Sequence, residues 1–119
     1  MRALVVDDSS AMRAMLRMTL KKQGFVVAEA KHGLDALAVL AAQEFDLILI
    51  DWNMPEMDGL ELLLRIRAQP QHDRTQIMMV TTESGMDQMS EALAAGANDY
   101  IMKPFTLDVI VEKLQLVGL

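Results

Sequence analysis

The sequence predicts an α/β fold, a doubly wound sheet of five parallel strands, each followed by a helix. Three observations carry this reading. Five short apolar runs, at residues 3–6, 25–28, 47–50, 77–80 and 100–102, are spaced along the chain. Between them lie stretches whose apolar residues recur every three or four positions. The connections are short, and the one segment of loop-like composition is QPQHDRT at 69–75. Strands that alternate with helices form βαβ units, and runs that are apolar on both faces need cover on both faces.

The first run, ALVV, ends in Asp7 and Asp8, and Ser9 or Ser10 can cap the helix that follows. That helix places Met12, Met15, Leu16, Thr19 and Leu20 on one face and stops at Gly24, a residue suited to the position just past a helix end. After the second run, a helix over 34–43 carries Leu34, Leu37, Val39 and Leu40. The third run, LILI, ends in Asp51, and MPEMDG turns the chain before a helix over 60–67 that follows Gly59. The fourth run ends at Thr81, and its helix, over 86–95, closes with Gly96. The fifth ends at Lys103, and Thr106 is the candidate N-cap of a last helix carrying Leu107, Ile110, Val111, Leu114 and Val117.

At 119 residues the chain is long enough to bury a real core as one domain. The net charge of −6 argues against nucleic acid as a direct partner, since phosphate binding needs a basic face. No apolar stretch approaches the roughly 18 residues of a membrane span. The opening MRALVVDDSS is broken by acids too early for a secretory signal. Without cysteine there is no disulfide framework, which fits a cytoplasmic location.

In open α/β sheets, function collects in the crevice outside the carboxyl ends of the strands. Asp7, Asp8, Asp51, Thr81 and Lys103 all fall at such ends. Helix capping accounts for one strand-end aspartate but not for the set, because Ser9 or Ser10 is available for the first helix. Two like charges about 4 Å apart repel by roughly 4 kcal/mol at an effective dielectric near 20. A cluster of carboxylates with no histidine or cysteine beside it suits a hard divalent cation, Mg²⁺ or Mn²⁺. His32 and His72 are expected to be solvent-exposed and outside the site. Trp52 is expected to be partly buried beside the acids. The eleven methionines are expected to be core filler at helical spacing, with Met86 and Met89 as the alternative, a soft partner-binding surface.

The segments VVDDSSAMR, DWNMPEMDGLELL, VTTE and YIMKPFT, in this order and spacing, resemble the signature segments of the bacterial response-regulator receiver family, and most closely its single-domain chemotaxis members. The resemblance covers nearly the whole chain. It implies a single receiver domain over 1–119 and a flavodoxin-like (βα)5 fold with strand order 2-1-3-4-5. By the same resemblance Asp51 is the phosphoacceptor, and Mg²⁺ is held by Asp7, Asp8, Asp51 and the backbone carbonyl of Asn53. Asp8 would ligate directly and Asp7 more often through water. Thr81 and Lys103 would contact phosphoryl oxygens, Thr81 and Tyr100 would form the switch, and the bond before Pro104 would be cis. Asn53 and Glu83 would set the phosphoryl lifetime. The implied partners are a sensor histidine kinase, the flagellar motor switch or another target protein, and a phosphatase, with the chain itself a cytoplasmic monomer. It would be a signalling protein and not an enzyme, although it catalyses its own phosphoryl transfer and loss.

The chemistry of the residues agrees, because a carboxylate is a competent covalent nucleophile and phosphoryl transfer relies mainly on positioning and cations. Three alternatives remain open at this point. One is a phosphorelay intermediate or another stand-alone receiver. A second is an aspartyl-nucleophile phosphohydrolase, disfavoured because Asn53 stands where those enzymes carry a second acid. A third is an FMN carrier, disfavoured because Asp7 and Asp8 would repel the FMN phosphate. Thr82 departs from the family's pattern of a smaller Ala or Gly, and its bulk would narrow access to the phosphoryl group.

Overall fold

The computed structural model describes residues 1–82 and 86–119. Its elements run β1 (Arg2–Val6), α1 (Ser10–Lys22), β2 (Val26–Ala30), α2 (Gly33–Ala42), β3 (Leu47–Asp51), α3 (Gly59–Arg67), a 3-10 turn (Pro70–His72), β4 (Gln76–Thr81), α4 (Met86–Ala94), β5 (Asp99–Met102) and α5 (Leu107–Leu116). The five strands form one sheet in the order β2-β1-β3-β4-β5, and all four pairings are parallel. This is the flavodoxin-like arrangement expected.

The two-residue period of the strands sorts the core into two layers. Leu4, Val6, Ile48, Ile50, Ile77 and Met79 point to the side covered by α2, α3 and α4, where they meet Leu40, Leu62, Ile66 and Ala92. Ala3, Val5, Leu47, Leu49, Met78 and Val80 point to the other side, where Leu16 and Leu20 of α1 and Ile110 and Leu114 of α5 cover them. Every residue of β3 is buried, as the central strand of a sheet covered on both faces requires.

Ser9 caps α1, its hydroxyl accepting from Met12 N at 3.2 Å. Asp58 caps α3 through Glu61 N at 2.9 Å. The imidazole of His32 caps α2, with Nδ1 accepting from Asp35 N at 3.1 Å. Thr106 occupies the N-cap of α5 without a side-chain bond.

Several expectations need correction. His72 is buried, not exposed, because the 69–75 segment folds its 3-10 turn back against the body of the domain. Met15, Leu34 and Leu107 are exposed, since the buried arcs of their helices are centred on Leu16–Leu20, Ala36–Leu40 and Ile110–Leu114. The buried methionines, Met54, Met57, Met78 and Met79, sit in a loop and a strand, whereas Met15 and Met18 on α1 face solvent. Trp52 is buried more deeply than expected, at 9% exposure.

Arg67 ends α3 and gathers the far side of the domain. Its Nε donates to Gly96 O at 2.9 Å, Nη1 to His72 O at 2.8 Å, and Nη2 to Thr75 O and Asn98 Oδ1, each at 2.9 Å. Asn98 Oδ1 also accepts from Ile77 N at 2.8 Å. One guanidinium thus joins α3, the 3-10 turn, the start of β4 and the α4–β5 turn, a use of its five donors that a lysine cannot copy.

Candidate functional site

The carboxyl ends of β1, β3, β4 and β5 lie side by side because the strands are parallel and adjacent. Asp7 follows the last residue of β1 and extends its pairing, with its N–H donating to Ala30 O at 3.1 Å. Asp51 and Thr81 are the last residues of β3 and β4. Lys103 follows β5, and its N–H donates to Thr81 O at 2.7 Å. The peptide bond between Lys103 and Pro104 is cis.

Asp7, Asp8 and Asp51 each offer a carboxylate oxygen, and the three oxygens lie within 4.8 Å of one another. Lys103 Nζ sits 3.2 Å from Asp51 Oδ1 and 3.8 Å from Asp7 Oδ2. Asp51 Oδ1 also accepts from Asn53 N at 3.3 Å, and Asp7 Oδ1 accepts from Ser9 N at 2.8 Å. Arg13 Nη1 donates to the Asp7 carbonyl at 2.7 Å while its Nε pairs with Glu29 at 3.3 Å, which ties the first turn of α1 to β2.

Asp7 and Asp51 are buried, at 1% and 3% exposure, whereas Asp8 is exposed. Burial pushes the Asp51 carboxyl above its usual range, and the neighbouring Asp7 charge adds to this; Lys103 and the Asn53 amide pull it back only in part. Burial likewise raises Asp7 against the pull of the Ser9 amide, Lys103 and Arg13. Asp7 Oδ2 is buried with no hydrogen bond. Among the described residues the one cation paired with that oxygen, Lys103 Nζ at 3.8 Å, is shared with Asp51, so three clustered carboxylates meet a single ammonium group, and their all-oxygen donor set fits Mg²⁺ or Mn²⁺.

Asn53 and Thr82 stand at the mouth of this cluster, and Asn53 Nδ2 donates to Thr82 Oγ1 at 3.3 Å. Tyr100, on β5, sends its hydroxyl to Met89 Sδ on α4, and Lys113 Nζ of α5 lies 5.7 Å from the centre of its ring. Glu83 lies outside the described residues. The structure therefore brings Asp7, Asp8, Asp51, Asn53, Thr81 and Lys103 to one rim and sets Tyr100 on the neighbouring face. Reading the sequence missed the Asn53–Thr82 contact and the Arg13 brace. Both join residues of ordinary composition from different segments, and no local pattern announces them.

An open parallel α/β sheet with an acidic trio and a lysine at its carboxyl edge is the arrangement expected of a receiver domain, and the family match makes the protein a signalling module and not a conventional enzyme. The chain belongs to the response regulator receiver domain family, which it matches over residues 3–115. It is 50% identical over 117 residues to a chemotaxis protein CheY homolog of Campylobacter jejuni, covering 97% of this chain and 90% of that protein. Chemotaxis protein CheY1 of Helicobacter pylori is 48% identical over 119 residues, covering 98% and 96%. The crystallised chemotaxis response regulator CheY4 of Vibrio cholerae superposes with a TM-score of 0.92 at 39% identity, covering 98% of this chain and 97% of that one. The chain is a receiver domain of the chemotaxis-regulator type. Among the described residues no helix is long and apolar enough to cross a membrane.

Proposed function

We propose that the protein is a phosphorylation-activated switch that takes a phosphoryl group onto Asp51 and signals through the face formed by α4, β5 and α5. The observation that carries this reading is the placement of Lys103 Nζ 3.2 Å from a buried carboxylate that shares its rim with Asp7 and Asp8. Asp7, Asp8, Asp51 and the Asn53 carbonyl would hold Mg²⁺, which when bound neutralises the acids and the charge on the transferred oxygens.

A phosphohistidine of a sensor kinase is the donor. An Asp51 carboxylate oxygen attacks phosphorus, the P–N bond breaks, and its electron pair returns to the imidazole nitrogen. The product is an acyl phosphate. Lys103 pairs with one phosphoryl oxygen and the Thr81 hydroxyl donates to another. Water later cleaves the acyl phosphate, at a rate that Asn53 and, by the family resemblance, Glu83 set and that a partner phosphatase raises. The target is the flagellar motor switch, in keeping with the chemotaxis names of the relatives. Residues 1–119 act as one receiver domain, monomeric and cytoplasmic.

Acetyl phosphate with Mg²⁺ should add one base-labile phosphoryl group by intact mass, and Asp51→Asn should abolish it. Trp52 fluorescence should change with millimolar Mg²⁺ and again with beryllofluoride. A parent protein that gains no mass, or a phosphoryl group retained in Asp51→Asn, would overturn the assignment.

A further inference from the structure

Asp51 is buried, yet a donor must reach it, and the residues at its entrance are joined to each other. Asn53 belongs to the loop after β3, and Thr82 follows the last residue of β4. Both are exposed, and the Asn53 Nδ2 to Thr82 Oγ1 hydrogen bond of 3.3 Å links the two loops. Asn53 is held at a second point as well, by its N–H donating to Asp51 Oδ1 at 3.3 Å. One residue is therefore tied by its backbone to the nucleophile and by its side chain to the opposite lip.

We infer that the Asn53–Thr82 hydrogen bond is a latch across the entrance to Asp51, so that Thr82 slows phosphoryl gain through its hydroxyl and not merely through its size. This rests on the phosphoacceptor reading of Asp51. A phosphoryl group on Asp51 brings volume and several strong acceptor oxygens to the mouth of the site. The Asn53 carboxamide is a neutral donor on that lip, and in the resting protein its NH₂ group is oriented by one N–H bonded to Thr82. Opening costs one solvent-exposed hydrogen bond. Net values for such bonds correspond to roughly two- to tenfold in an equilibrium, and exposure places this one toward the lower figure. Thr82 is thus a positioning residue that acts through Asn53.

Bulk and latch predict opposite orders for two exposed, conservative substitutions. Thr82→Val keeps the size and loses the hydroxyl, whereas Thr82→Ser keeps the hydroxyl and loses a methyl group. With acetyl phosphate and Mg²⁺, Thr82→Val should gain the phosphoryl group about two- to tenfold faster than the parent, with Thr82→Ser restoring the slower rate. The Asn53 carboxamide gives a second readout by nitrogen-edited NMR of the metal-free protein. Its Nδ2 proton shifts and exchange rates should change in Thr82→Val and remain parent-like in Thr82→Ser. Parent-like phosphorylation in Thr82→Val with acceleration in Thr82→Ser would overturn the latch in favour of bulk. Coincident carboxamide signals in parent and Thr82→Val would overturn it independently of phosphorylation. A parent that takes no phosphoryl group on Asp51 would instead bring down the phosphoacceptor reading, and the latch's kinetic role with it.

Discussion

Gly59 lies so close to Asp51 that a β-carbon built on it would stand 2.4 Å from the Asp51 carbonyl oxygen. It would also stand 2.8 Å from Trp52 Cα, and neither backbone atom can yield without moving the end of β3. The Gly59 N–H meanwhile donates to Trp52 O at 2.8 Å, closing the loop onto the strand that carries the nucleophile. Gly59→Ala should therefore cost about 2 kcal/mol in urea unfolding and weaken the Trp52 response to Mg²⁺. Gly33→Ala is the comparison, because its new β-carbon meets only the Met57 side chain, 2.5 Å from Sδ, 3.1 Å from Cγ and 3.2 Å from Cβ, where the thioether can turn away and the rest must give by only a few tenths of an ångström. That change should cost less than about 1 kcal/mol. Equal losses in the two variants would refute the argument from contact.

The buried acids tie stability to pH. Burial, and for Asp51 the Asp7 charge, raise both carboxyls above the ordinary value of 3.8. A raised folded-state value means that the stabilising contribution of each acid is complete below about pH 4 and is lost as pH rises through the folded value. Asp51→Asn should accordingly make the metal-free protein more stable near neutrality, on the order of 1 kcal/mol, and the gain should vanish toward acid pH. Mg²⁺ should raise the parent's melting temperature more than the variant's. Urea midpoints measured across that range provide the check, and a gain that is independent of pH would count against it.

The strands were legible in the sequence because apolar runs of four stand out, and Leu47–Asp51 needed no adjustment beyond its terminal acid. Strand β2 shifted by one or two residues because Phe25 is buried at the approach to the strand and not within it. The strand order came from the motif resemblance, since periodicity does not say which strands are neighbours. The strand-end acids, Thr81 and Lys103 were legible because a polar residue that stops a buried run has few structural reasons to be there. His72 was not, because a histidine in a Pro- and Gln-rich segment carries no local sign that its loop folds inward. Arg67 reads as an ordinary helix-end cation, and its acceptors, up to Asn98 in the chain, are met only in three dimensions.

Arg67→Lys should be far from conservative. Lysine cannot serve the carbonyls of Gly96, His72 and Thr75 together with Asn98 Oδ1; the three carbonyl bonds are partly buried, and acceptors stranded there cost about 1–3 kcal/mol each, whereas exposed Asn98 can turn to water. A loss of roughly 2 kcal/mol or more is expected by urea unfolding, with faster hydrogen exchange at the amides of Gly96 and Ala97. An unchanged urea midpoint would show that water replaces the guanidinium freely.

Coupling between Asp51 and the α4-β5-α5 face should pass through Thr81 and Tyr100. Tyr100 is held between Met89 and Lys113, so a movement of Thr81 toward a phosphoryl group alters the space beside a residue that touches both helices of that face. Beryllofluoride should raise affinity for a motor-switch peptide by roughly 5–150-fold, the usual range for such coupling. Thr81→Ala should reduce that factor while leaving Mg²⁺ binding nearly intact. Titrations of parent and variant, with and without beryllofluoride, decide the matter; a full factor retained in Thr81→Ala would exclude this route.

If α4 moves in the proposed switch, Arg67 constrains how it can travel. Gly96 and Asn98, just beyond the C-terminal end of the helix, are clamped to α3 and to the base of β4, so that end serves as a fulcrum. A displacement of α4 then becomes a swing, small at its clamped end and largest at the end nearest Thr81 and Thr82. Spin labels at exposed Asp87 and Glu91 should register this as a lever does, with the greater excursion at Asp87 on addition of beryllofluoride. On the proposed switch, the clamp would turn an adjustment beside Asp51 into a rotation of the helix about its distant end.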